Sequence, residues 1–199
     1  MLEWPALRFN TIVLGLTEPL ERADAILVLG GLNTYLERTQ KAAPKAVVDE
    51  KDVLIKTPDG TADAALFTPK KAGTFPAVLM WPDIMGLRPA FRDMGRRLAG
   101  EGYVVLVPNP FYRSKKAPVI EGPIDFSNPA QREILTGYRK AITSVASDAK
   151  AFIAFLDSQP KTNKRRKAGV QGYCMSGAFA FETAATLPDA IETAIAVVE

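Results

Sequence analysis

Histidine is absent from all 199 residues, so no imidazole stands ready to take a proton from a nucleophile. Cysteine is nearly absent too. Cys174 is the only one, so the chain forms no internal disulfide, which fits a reducing compartment and makes a cytoplasmic location the expectation. No apolar run approaches the roughly 20 residues needed to span a bilayer. Glu18, Glu21 and Asp24 interrupt the early apolar stretches, and no basic n-region precedes them, so neither a membrane span nor a secretory signal is expected. Excess charge is also lacking: 25 Lys and Arg face 22 Asp and Glu, and a net +3 is too little to argue for nucleic acid. The one basic run, "KTNKRRK" at Lys161–Lys167, reads as a solvated loop before a strand. What is present, 47% apolar and 24% charged residues, suits one soluble α/β-sized domain with a real core. Neither a metal nor a cofactor is expected, and nothing in the composition fixes an oligomeric state.

Residues 1–47 differ in pattern from the rest and are expected to form an N-terminal extension of unknown role. Within it, "TIVLGL" and "DAILVLGG" are short apolar runs, the second followed by a Gly30-Gly31 turn and a helical stretch. Two glycines without a P-loop lysine are a weak phosphate signal. The "APK" at 43–45 marks the expected boundary, and 48–199 the main domain.

In that domain, "PDG" at Pro58-Asp59-Gly60 between two half-alternating runs predicts a hairpin. "FPAVLMW" (75–81), "YVVLVP" (103–108) and "AGVQGY" (168–173) are continuous apolar runs, as expected of strands buried on both faces. Phe91, Met94, Leu98 and Ala99 recur at helical spacing, ended by Gly100 and Gly102. A stripe from Ile134 to Leu156 predicts helix throughout 130–158, and "SGAFAFETAATL" another before the strand "AIETAIAVV". Strands alternating with helices imply a mostly parallel sheet with helices on both faces. The sequence ends directly after a strand, so the sheet is expected to be incomplete at its C-terminal side, with an unpaired edge there.

The chemistry concentrates at "GYCMSG", Gly172–Gly177. A nucleophile on a sharp strand-to-helix turn needs small neighbours, because the helix packs closely on the strand; Gly172, Ser176 and Gly177 supply them around Cys174. The following helix favours a thiolate, and the Met175 N–H is placed to bind an oxyanion. A buried structural cysteine at an ordinary turn is the competing reading. The loop "WPDIMGLRP" offers the Ile84 N–H as second oxyanion donor, with Asp83 beside it as an acidic partner or a plain turn residue.

Taken as a set, "TPDGTADAALFTP", "FPAVLMWPDIMGLRPAFRDMGRRLAGEGYVVLVPNPFYR" and "GVQGYCMSGAFAF" resemble the dienelactone hydrolase family of the α/β-hydrolase superfamily, over residues 48 to 199. The resemblance implies Cys174 as nucleophile, Asp83 at the family's acidic position (usually glutamate), and Ile84 and Met175 as oxyanion-hole donors. It also implies Arg113 as the receiver of a substrate carboxylate, hence an anionic small-molecule ester or lactone. Ser176 stands where the family usually has glycine. The triad's aspartate and histidine would follow later strands, so the chain is expected to be truncated and inactive or weak as it stands. The alternative is a non-catalytic relative or remnant that binds a ligand or partner. A redox-responsive thiol is a third reading.

Overall fold

The computed structural model describes residues 47–122 and 125–197, together with the backbone of residues 11–15. The Gly30-Gly31 turn, its flanking strand and helix, and the 43–45 boundary lie outside the described residues. One sheet organises the rest. Its seven strands are β1 (Thr11–Gly15), β2 (Val48–Thr57), β3 (Gly60–Pro69), β4 (Ala77–Trp81), β5 (Val104–Pro108), β6 (Ala168–Tyr173) and β7 (Ile191–Val197), in spatial order β1-β7-β6-β4-β5-β3-β2.

The pairing follows the apolar patterning. β5, β4, β6 and β7 run parallel to one another, and every residue of β4 and β5 is buried. Continuous apolar runs end up there because helices cover both faces, leaving no solvent side for alternation to mark. β2 and β3 form the expected hairpin around Pro58-Asp59, closing at Thr57↔Gly60, with Gly60 at φ +144. β3 then joins β5 antiparallel. The edge expected to be bare after the last strand is occupied: β1 pairs antiparallel with β7 from Thr11↔Val197 to Gly15↔Thr193. A backbone edge with unmet N–H and C=O groups invites such a strand.

Helix α1 (Pro89–Gly100) covers one face, packing Phe91 and Ala99 against Phe67, Val78, Met80 and Val105. Pro89 opens it at a position where its missing N–H does no harm, and Gly102 at φ +97 follows its end. Gly95 lets it sit close to β3: a β-carbon there would lie 2.6 Å from the Phe67 ring.

The expected single helix over 130–158 is two: α2 (Pro129–Lys140) and α3 (Val145–Ser158). The Ser144 side chain accepts the Ser147 N–H at 3.2 Å and caps α3, so the chain restarts instead of continuing. The opposite face of the sheet is covered by α3 and by α4 (Gly177–Thr186), around Leu79, Trp81, Leu106, Phe152 and Leu156. Trp81 anchors this layer. Its ring lies 5.4 Å from Phe152 and 5.7 Å from Phe179, and its indole N–H donates to Thr183 Oγ1 at 3.1 Å. Among the described residues no helix is long and apolar enough to cross a membrane, and no group of acidic or cysteine side chains could hold a metal ion.

Candidate active site

β6 ends at Tyr173, and Cys174 turns the chain into a short 3-10 segment, Cys174–Ser176, that leads into α4. Cys174 has φ +52, the only positive φ of a non-glycine residue among those described. L-residues avoid this region, so the strain is held there by the surroundings. Two neighbours do the holding. At Gly172 a β-carbon would lie 2.0 Å from the Ser176 carbonyl oxygen, so any side chain would push the turn open. Ser176 is fully buried; its hydroxyl accepts the Tyr173 N–H at 2.8 Å and donates to the Trp81 carbonyl at 2.8 Å. The serine therefore pins the elbow to the end of β4. The Cys174 thiol is exposed at the tip.

The loop after β4 meets the elbow. Ile84 and Met175 both pack against a small apolar cluster of Phe111, Val119 and Leu135. The Ile84 N–H makes no hydrogen bond among the described residues, which leaves it available as a donor. Asp83 shapes this loop. Its Oδ1 accepts the Met85 N–H at 2.9 Å and its carbonyl accepts the Gly86 N–H at 2.9 Å, with Gly86 at φ +70. The same carboxylate takes both prongs of Arg88, at 2.7 and 2.9 Å. Asp83 thus sits in a turn-and-ion-pair arrangement, the turn role offered as one of its two readings, and no hydrogen bond joins it to Cys174 among the described residues. Arg88, five residues on, was missed in the sequence.

Arg113, the expected receiver of a substrate carboxylate, forks onto Asp148, Nη1 to Oδ2 at 2.7 Å and Nη2 to Oδ1 at 2.9 Å. Its Nε also donates to Asp59 at 3.0 Å, and it stacks over Tyr112 at 4.5 Å. Asp148, at 1% exposure, further accepts the Tyr112 hydroxyl at 2.8 Å. Burial works against the Arg113 charge, but the Asp148 and Asp59 carboxylates outweigh it and hold the guanidinium well above its ordinary range. Arg113 correspondingly holds the Asp59 carboxyl below its usual range. Burial, with Asp148 as a secondary cause, pushes the Tyr112 phenol up to about 12. Burial also raises the Tyr173 phenol, which packs against Phe91 and donates to Gln171 Oε1 at 3.1 Å.

Two open surface clefts, one beside Pro58, Ser144 and Lys150 and the other beside Phe75 and Glu101, include none of Cys174, Asp83 and Arg113. Around Lys161–Lys167, Lys164 to Lys167 are exposed, in keeping with a solvated loop.

A mostly parallel sheet with helices on both faces and an exposed cysteine at a sharp strand-to-helix elbow is the architecture of an α/β-hydrolase. The dienelactone hydrolase family model matches residues 62–197, and the chain belongs to that family. It is 32% identical over 115 residues to a carboxymethylenebutenolidase of Pseudomonas sp. strain P51, covering 57% of this chain and 46% of the relative. It is 31% identical over 112 residues to carboxymethylenebutenolidase 1 of Cupriavidus pinatubonensis, covering 55% and 45%. Among solved structures, a dienelactone hydrolase-like promiscuous phosphotriesterase, P91, from metagenomic libraries shares the fold, with a TM-score of 0.55 at 21% identity over 70% of this chain and 54% of that one. So does the dienelactone hydrolase of Anabaena variabilis, with a TM-score of 0.50 at 18% identity over 72% and 60%. The chain spans 45% to 58% of the length of the curated relatives it matches.

Proposed function

We propose that residues 48–199 form a dienelactone hydrolase-like domain that acts on an ester or lactone through Cys174. The observation that carries this reading is the strained, exposed Cys174 at φ +52 on the elbow. A protein tolerates such a residue where the surroundings over-determine it, and such sites cluster at reactive centres. The carboxymethylenebutenolidase names of the relatives favour a lactone or ester over other substrates of the fold.

In the proposed reaction the Cys174 thiolate attacks the carbonyl carbon and a C–S bond forms. The carbonyl π electrons move onto oxygen, where the Ile84 and Met175 N–H groups receive the charge. Collapse of this intermediate breaks the acyl C–O bond, and the alkoxide takes a proton from water. It departs as the alcohol of an ester or stays on the opened chain of a lactone. Water then hydrolyses the thioester to the acid and returns the thiol. Asp83 acts on this step through the loop that carries Ile84. These 199 residues contain no histidine to take the thiol's proton, so taken by themselves they should run both half-reactions slowly, on what the oxyanion donors and binding provide.

The test is the 199-residue chain mixed with excess p-nitrophenyl butyrate. One equivalent of p-nitrophenolate and one butyryl adduct on Cys174 are expected, followed by slow turnover, and Cys174→Ala should lose both. If release is unchanged in Cys174→Ala, the thiol hydrolase reading is wrong. A chain with an unacylated, ordinarily reactive thiol would favour the second reading, a ligand- or partner-binding relative, which the absence of histidine motivates.

A further inference from the structure

We infer that Asn109 and Asp63 are positioning residues for acylation at Cys174: they hold the loop after β5 as the platform against which both oxyanion-donor segments pack. This rests on the hydrolase reading above and deepens it by naming what aims its oxyanion donors.

The two side chains form a hydrogen-bonded hub that closes the loop. Asn109, fully buried just past the end of β5, accepts the Phe111 N–H on Oδ1 at 3.0 Å. Its Nδ2 donates to the Lys115 carbonyl at 2.8 Å and to Asp63 Oδ1 at 2.9 Å. Asp63, buried on β3, accepts the Ala117 N–H on its other oxygen, Oδ2, at 2.9 Å. A side-chain amide has one oxygen and two N–H groups, and Asn109 uses them all. The loop is clamped at Phe111, Lys115 and Ala117. A buried polar network whose members are satisfied holds one geometry.

Contact passes that geometry on. Phe111 and Val119 of this loop, with Leu135 of α2, form the cluster against which Ile84 and Met175 pack. Gly86, at the end of the Asp83 turn, lies close against the loop: a β-carbon there would meet the Phe111 ring at 3.2 Å and Val119 Cγ2 at 3.4 Å. A displaced Phe111 would therefore shift the Ile84 turn relative to the Met175 N–H. Both donors serve one developing oxyanion, so their spacing matters more than their presence. A misplacement of about 1 Å can cost on the order of a hundredfold in rate.

The experiment compares two reactions of the same thiol in the 199-residue chain. Acylation by p-nitrophenyl butyrate builds negative charge on a carbonyl oxygen. Alkylation by iodoacetamide displaces iodide from a saturated carbon and builds none. The acylation rate divided by the alkylation rate, each scaled to N-acetylcysteine, reads the oxyanion donors apart from thiol exposure and ionisation. Asn109→Asp keeps an acceptor for the Phe111 N–H but sets a second carboxylate against Asp63, and should lower the ratio about tenfold or more. Asp63→Asn sets amide N–H groups against each other and should do the same. The double variant, Asp63→Asn with Asn109→Asp, reverses the direction of the bond between the two positions. It keeps acceptors for the Phe111 and Ala117 N–H groups, so it should recover most of the ratio. Phe111→Leu leaves the polar hub whole but alters the surface under Gly86, and should lower the ratio even where a single polar variant does not fold. Folded single variants with a wild-type ratio overturn the inference, because a merely structural role lowers stability without moving the ratio. A wild-type ratio in Phe111→Leu, or a folded double variant as slow as the singles, overturns it too. A wild-type thiol that is alkylated but never acylated is a different outcome: the hydrolase reading then fails, and this inference with it.

Discussion

The Ser176 hydroxyl donates to the Trp81 carbonyl across 2.8 Å, joining the elbow to the last residue of β4, 95 positions earlier in the chain. The same oxygen accepts the Tyr173 N–H, so one fully buried side chain satisfies two backbone groups of two parallel strands. Ser176→Ala leaves both unmet and should lower stability by about 1–3 kcal/mol in urea unfolding. An unchanged midpoint would show that these backbone groups find other partners.

The left-handed backbone at Cys174 predicts a trade between stability and chemistry. Cys174→Ala and Cys174→Gly both remove the thiol, but glycine relieves the φ +52 strain that alanine keeps. The glycine variant should be more stable than the alanine variant by about 1 kcal/mol, net of its larger loss of chain entropy. Equal stabilities would mean the elbow is not strained.

Asp83→Asn separates the turn from the charge. Asparagine retains an oxygen for the Met85 N–H while losing the ion pair with Arg88. If Asp83 acts only by shaping the loop, the pH profile of Cys174 alkylation by iodoacetamide should keep its midpoint. A carboxylate that faced the thiol would have opposed thiolate formation, so its removal would move the midpoint down.

The Asp59–Arg113 pair predicts an acid-side signature. Arg113 holds the Asp59 carboxyl below its ordinary value of 3.8 in the folded chain, so the folded state favours the ionised form. The resulting stabilisation is present above pH 3.8 and is lost as pH falls through the lowered folded value. Urea midpoints of wild type and Asp59→Asn should therefore differ at pH 6 and draw together below pH 3.8. A gap that stays constant across that range would assign the difference to something other than ionisation.

Much of this architecture was legible in the residues. Unbroken apolar runs marked the buried parallel strands, Pro58-Asp59-Gly60 marked the hairpin, and the small residues around Cys174 marked the elbow. Misreadings came where a local pattern hid a long-range event. The apolar stripe read from Ile134 runs on through Tyr138 and Ile142 to Val145 and Ala149, although Ile134 is exposed and its neighbour Leu135 is the residue α2 buries; only Ser144 signalled the break. The ion pairs of Arg113 were not legible because its partners lie 54 and 35 residues away, and neither Asp59 in a turn nor Asp148 in a first helical turn looks like an arginine ligand. Asp148 in particular resembles an ordinary complement to the helix dipole. The role of Asp83 was half visible: its turn was read as one option, but its pairing with Arg88 was not.

Gly95 sets the distance between α1 and the sheet, and its effect runs against the helix's own preference. Glycine in a helix interior weakens the isolated segment by about 1 kcal/mol relative to alanine. The folded chain accepts that local frustration because the Phe67 ring occupies the volume a methyl group would need, 2.6 Å from where it would sit. Gly95→Ala should thus make an excised 88–102 peptide more helical by circular dichroism while making the folded protein less stable. One missing methyl lets this helix and sheet settle together, at a separation that neither element would specify alone.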